Sequence, residues 1–131
     1  MNENTIGREI VDAAVKIHQG LGAGLLESVY EIVLAHELTR RGLHVERQVQ
    51  VPLVYEGIRF DEAFRADLIV NSAVLVEIKS VETLNNAHRK QTLTYLRLSG
   101  LRLGFLLNFS QALMKDGIER IVNGLDETQY P

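Results

Sequence analysis

The sequence predicts an α/β protein, a mixed β-sheet with helices packed against it. Three observations carry this expectation. Two segments with helical periodicity come first, strand-length segments that alternate or are wholly apolar follow, and a third helical segment separates two of the most apolar strands.

The elements follow in chain order. In residues 5–19, Ile6, Ile10, Ala14 and Ile17 recur at helical spacing, continued by Leu21. Three glycines between Gly20 and Gly24 then disfavour a helix. A second helix is expected over residues 25–41, with Leu26, Val29, Tyr30, Val33 and Leu38 as its inner stripe. Arg40 and Arg41 suit the negative end of its dipole, and Gly42 suits the first position beyond it. Residues 44–55 alternate, with Val45, Val49, Val51, Leu53 and Tyr55 on one side and His44, Glu46, Gln48 and Gln50 on the other. Pro52 cannot donate to a ladder, which puts this strand at an edge or a bulge. Glu56-Gly57 turns the chain into a short strand near residues 58–60.

Residues 64–70 and 74–80 read as a hairpin closed by Asn71-Ser72-Ala73. A helix over residues 84–98 ends at Gly100, and the nearly continuous apolar run at 101–109 fits a strand buried on both faces. The unit from Val74 to Phe109 is therefore a crossover joining parallel strands. Lys115-Asp-Gly117 is a turn signal before a last short strand at 118–122, and 126–131 is expected to be a loose tail.

Residues 1–131 suit one domain with one core. A net charge of -3 argues against coating nucleic acid by bulk electrostatics, though not against local grip on a phosphate. The absence of cysteine excludes disulfides, thiolate chemistry and cysteine-ligated zinc. The four histidines form no HxH or HExxH cluster. No apolar run approaches the ~20 residues that cross a bilayer, and the first residues do not read as a secretory signal. A cytoplasmic location without a membrane partner is the expectation.

Two phrases carry chemistry: Arg65-Ala-Asp67-Leu-Ile-Val and Val74-Leu-Val-Glu77-Ile-Lys79-Ser. Glu77 and Lys79 share one face of a strand whose Val74, Val76 and Ile78 face the core. If Val70 pairs with Val74 across a three-residue loop, Asp67 falls opposite Glu77, with Cβ atoms roughly 5 Å apart. Two carboxylates that close repel, and a hard divalent cation such as Mg²⁺ removes the conflict. Lys79 alongside suits a role in orienting water or neutralising phosphate charge. A two-residue loop would instead set Asp67 against Val76, and no site would form.

These positions resemble the PD-(D/E)xK nuclease superfamily, in which an acidic residue, a hairpin turn and (D/E)xK on the next strand form the core. Ala66 stands where the pattern's proline would be. Gly24-Leu-Leu-Glu27-Ser-Val-Tyr30 further resembles the GxxExxY family, a prokaryotic group within it, and the likeness runs from about Ile10 to Val122. It includes Gln91-Thr-Leu-Thr-Tyr95-Leu and Gly104-Phe-Leu-Leu-Asn108-Phe109. The resemblance implies a restriction-endonuclease-like core with flanking helices. It also implies hydrolysis of phosphodiester bonds in DNA, or RNA, by water activated with Mg²⁺ or Mn²⁺.

The resemblance gives Asp67, Glu77 and Lys79 as catalytic and adds Glu27 to Asp67 and Glu77 as a metal residue. Gln91 and Tyr95 match the QxxxY element of the exonuclease-like branch, which makes Gln91 a catalytic candidate. His88, Gln91 and Tyr95 line one helix face. With Tyr30, Arg89 and Lys90, the residues His88 and Tyr95 are the candidate substrate contacts, Tyr30 standing equally for core packing. The competing reading of the charged strand face is a structural ion pair. The competing function is a non-catalytic nuclease-like module that binds nucleic acid, a nucleotide or a protein, either alone or as a homodimer.

Overall fold

Asn2 opens the fold. Its side-chain oxygen accepts the Thr5 amide at 2.8 Å, so helix α1 (Glu3–Leu21) begins two residues before the stretch its periodicity announces. Helix α2 (Glu27–Arg40) ends in a Schellman arrangement: Gly42 has φ 88°, its amide reaches Thr39 O, and Leu43 N reaches Leu38 O. The strands are β1 (Val45–Tyr55), β2 (Ile58–Val70), β3 (Val74–Lys79), β4 (Leu103–Asn108) and β5 (Ile118–Val122), in sheet order β1-β2-β3-β4-β5. All neighbours are antiparallel except β3 and β4, which are parallel and joined by helix α3 (Asn86–Ser99). A short 3-10 turn, Met114–Gly117, precedes β5. The structure is a computed structural model describing residues 1–126. From residue 127 on, the tail expected at 126–131 lies outside the described residues. No helix among the described residues is long and apolar enough to cross a membrane.

Helices α1 and α2 cover one sheet face. Ile6, Ile10, Ile17, Tyr30, Leu34 and Leu38 pack there against Leu68, Val70, Val74, Val76, Ile78 and Phe105. The other face is smaller: Leu96 of α3 packs with Val51, Phe64, Ala66, Ile69 and Leu75. Strand β4 is buried throughout, as is β3 apart from the half-buried Lys79 at its end. This is why these two read as near-continuous apolar runs.

Several expectations change. The segments near 58–60 and 64–70 are one strand, β2, because a two-residue turn at Glu56 (φ 48°) and Gly57 (φ 82°) pairs Tyr55 with Ile58 and the ladder runs on. The outer half of this hairpin leaves the body, with Val54, Tyr55, Ile58 and Phe60 between 49% and 63% exposed. Strand β1 is an edge strand and has a register shift between Val51 and Leu53, so Pro52 sits at both an edge and a bulge. Its alternation does not hold end to end. Val45 packs with the α1/α2 cluster, whereas Val49 and Val51 pack with α3. The inner stripe of α2 is Tyr30, Glu31, Leu34, Ala35 and Leu38, while Leu26 is 73% exposed. The helix turns a charged residue inward, which an apolar-stripe reading does not anticipate.

Two glycine substitutions are expected to act in opposite directions. A methyl at Gly20, on the exposed end of α1, meets nothing within 4 Å. Gly20→Ala should therefore add about 0.5–1 kcal/mol by restricting the unfolded chain. A Cβ at Gly117 would run into the Asn108 carbonyl oxygen, a backbone atom that cannot turn aside. Gly117→Ala should cost about 1–3 kcal/mol through overpacking. Urea denaturation of the two variants checks both signs.

Candidate active site

The β2–β3 hairpin sets the site. Asn71 and Ser72 adopt left-handed φ values of 51° and 54°, and Ala73 N donates to Val70 O at 3.0 Å, giving the three-residue loop. Val70 pairs with Val74, Ile69 with Leu75 and Leu68 with Val76. The regular ladder stops there, and the next step brings Asp67 level with Glu77. From this point the carboxylates take over from the carbonyls. Asp67 N donates to Glu77 Oε2 and Ile78 N donates to Asp67 Oδ2, each at 2.8 Å. Each acid is thus fixed by an amide, one from the opposite strand and the other reciprocating.

Each carboxylate keeps one oxygen, Asp67 Oδ1 and Glu77 Oε1, that receives no hydrogen bond among the described residues. Neither is a sealed, unsatisfied atom. Burial pushes the Glu77 carboxyl up to about 8, and the neighbouring Asp67 charge adds to this. The Asp67 amide and Lys79 oppose the rise. Asp67 is also raised, first by burial and then by the charges of Glu31 and Glu27, against the Ile78 amide and Lys79. Lys79 therefore acts on both acids. It makes no ion pair within 4.0 Å among the described residues, which leaves its ammonium available to an incoming anion.

The strand end behind Lys79 is tied down. Phe109 N donates to Lys79 O at 3.1 Å. The buried Asn108 side chain, paired in register with Lys79, accepts from Val81 N and donates to Val81 O. Glu27, the first residue of α2, accepts the Ser80 amide at 2.7 Å. It stands close enough for its charge to act on Asp67. However, no three acidic or histidine groups among the described residues form a cage for an ion. The expected trio of Asp67, Glu77 and Glu27 is not gathered into such a cage, and one Glu27 oxygen is held at the Ser80 backbone. The pair Asp67 and Glu77 still fits Mg²⁺ chemistry. This ion commonly takes one or two carboxylates and fills its remaining positions with water and substrate phosphate.

The other candidates divide. Tyr95 stacks on Phe64, ring centroids 3.8 Å apart at 4°, and its hydroxyl is pushed up by burial and by the charges of Glu77 and Asp67. It borders the acids, and the Gln91 side chain acts on it. Tyr30 does not contact the open site. It is fully buried, stacked on Phe109 at 4.3 Å, and its hydroxyl donates to Gly22 O and accepts from Leu25 N. It therefore shapes the glycine-rich turn that delivers Glu27, and its ring offers no surface to a substrate. His88 Nδ1 accepts the Asn85 amide in a capping box at the start of α3. Arg89 is tied to Glu119 at 2.7 Å and to Asn86, while Lys90 is exposed.

The sequence reading missed Glu31, Arg47 and Gln48. Glu31 is 5% exposed and one turn beyond Glu27. Its Oε2 accepts from Arg47 Nε and Nη2 at 3.1 and 2.9 Å, and its Oε1 accepts from Gln48 Nε2 at 2.6 Å. The available signal was its i+4 spacing from Glu27, beside Tyr30.

The family model of the PD-(D/E)XK nuclease superfamily matches residues 4–121. Among solved structures, the crystal structure of SSO0001 is similar with a TM-score of 0.57 at 23% identity, covering 95% of this chain and 62% of that one. The chain thus spans less than two thirds of that protein's length, and the likeness concerns the fold. No curated protein matches.

The raised Glu77 carboxyl has a defined effect on stability. In the folded protein it holds its proton up to about pH 8, whereas the unfolded chain releases it near the ordinary 4.5. The folded state binds more protons between these values, so metal-free stability should fall as pH rises from about 4.5 to 8 and level off above. Denaturant midpoints measured in EDTA across this window should show the decline, and Glu77→Gln should flatten it.

Proposed function

The chain belongs to the PD-(D/E)XK nuclease superfamily, and on that premise we propose that it is a divalent-metal-dependent nuclease hydrolysing phosphodiester bonds of DNA, with RNA as the alternative substrate. The observation that carries this reading is the pair Asp67 and Glu77. A buried acid, Glu77, and a half-buried one, Asp67, are held by each other's strand amides, with Lys79 acting on both. A structural ion pair would be expected to close Lys79 onto one acid, and no such contact is made.

Asp67 and Glu77 would hold the cation through Asp67 Oδ1 and Glu77 Oε1. When bound, Mg²⁺ or Mn²⁺ supplies Lewis acidity toward the phosphate and a lowered pKa for the attacking water. Lys79 would face the phosphate and offset the charge that grows on its oxygens. Glu27 anchors the Ser80 amide and so fixes the end of the strand that presents Lys79. Tyr95 borders the acids from α3, and with Gln91 beside it would touch the nucleotide next to the scissile bond. Lys90, with Arg89 beside it, would contribute backbone contacts from the exposed start of α3. His88, though occupied by its cap, belongs to the same helix turn.

The finer GxxExxY grouping rests on Gly24, Glu27 and Tyr30. It is supported by the way Tyr30 binds the Gly22–Leu25 turn, which sets Glu27 at the start of α2. One observation favours the non-catalytic module as a second reading: only two acids converge, and no third donor completes a cage among the described residues.

Purified protein incubated with single- and double-stranded DNA and RNA is expected to cleave in Mg²⁺ or Mn²⁺ and not in EDTA. Asp67→Ala and Glu77→Ala should reduce cleavage to background, and Lys79→Ala should lower kcat by about 10²–10³. Cleavage that survives Glu77→Ala would remove the nuclease assignment. Calorimetry with Mn²⁺ separates the readings further, since a nuclease-like module without chemistry need not bind the ion.

A further inference from the structure

We propose that Gln48 and Glu31 are positioning residues for Asp67: Glu31 clamps a left-handed kink at Gln48, and that kink turns Asp67 of the neighbouring strand toward Glu77.

Gln48 has φ 53°, a conformation that non-glycine residues rarely adopt. In the β1–β2 register, Arg47 pairs with Leu68 and Val49 with Ala66, so Gln48 and Asp67 are the opposed residues between these pairs. Both strands change face across this step. Val45 packs with the α1/α2 cluster and Val49 with the α3 cluster; Leu68 packs with the first and Ala66 with the second. In a regular strand, residues two or four apart share a face. The step therefore twists both strands together, and Asp67 stands at the crossing. That twist ends the regular β2–β3 ladder at Leu68 and lets the Asp67 carboxylate reach Ile78 N.

Something must hold Gln48 against its backbone preference. Glu31 does so from α2, gripping the Gln48 side chain with Oε1 and the adjoining Arg47 with Oε2. The clamp is buried at its glutamate end and is anchored in a helix whose first residue already holds Ser80. Its catalytic meaning rests on the nuclease reading, but the geometry is independent of that reading.

Amide hydrogen exchange on the full metal-free chain tests the inference. The Ile78 amide reports the Asp67 bond, and amides of the β3–β4 ladder serve as the control for global unfolding. Glu31→Ala is expected to speed Ile78 exchange at least tenfold relative to the control. Glu31→Ala/Gln48→Gly is expected to restore it, because glycine adopts the left-handed turn without a clamp. A residue that only stabilised the fold, or that bound a metal directly, would not be rescued by glycine at a neighbouring strand. If Glu31→Ala does not fold, Gln48→Val against Gln48→Gly carries the test. A β-branched residue resists the kink and should free Ile78, whereas glycine should leave it protected. Unchanged Ile78 protection in folded Glu31→Ala or Gln48→Val, or failure of the glycine rescue, overturns the proposal. Cleavage assays on the same proteins keep the two claims apart. An inactive wild type with the stated exchange pattern defeats the nuclease reading and leaves the positioning role standing.

Discussion

The structure depends on an exchange between two side chains and two backbone amides. At the root of the β2–β3 hairpin, Asp67 takes the Ile78 amide while Glu77 takes the Asp67 amide. The two strands thereby stay connected where their own carbonyls no longer meet. This linkage drives two acids into an environment that raises both of them. Against a net folding stability of only about 5–15 kcal/mol, such a burden is large. It is carried because β3 and β4, which flank it, are buried almost throughout and packed by helices on both sides. A cation would relieve the repulsion while leaving both amide bonds in place.

Much of the frame could be read from the sequence, because it follows from local rules. The apolar run of β4 announced a strand covered on both faces, and the parallel crossover follows from the helix between β3 and β4. The register of Asp67 against Glu77 was legible for a more specific reason. The loop length fixes the pairing of Val70 with Val74, and every later pair is then determined. The position of Pro52 was constrained in the same way by its missing donor.

What escaped the sequence depends on contacts between distant segments. Nothing local to Gln48 requires a left-handed backbone; the requirement comes from Glu31, 17 residues earlier in the chain. Glu31 itself lay on what a hydrophobicity pattern treats as the solvent side of α2, yet it is as buried as Glu77. Of the two roles open to Tyr30, core packing or a contact in the site, the structure shows the first. A tyrosine three residues from Glu27 suggests a shared site, but the stacking on Phe109 turns the ring inward and leaves its hydroxyl to the glycine-rich turn. Glu27 showed the reverse. Its place beside Asp67 was anticipated, but its bond to Ser80 was not, and that bond makes it a brace for the strand carrying Lys79.

The β1–β2 hairpin has a practical consequence for handling the molecule. Its tip at Glu56-Gly57 stands clear of both hydrophobic clusters, while Asp67 lies toward the opposite end of the same ribbon and Glu77 on the strand beyond it. Peptide bonds there can be opened, or foreign sequence spliced in, with little disturbance to the packed layers. The tip is thus a natural place for an affinity tag, a fluorophore or new chain ends.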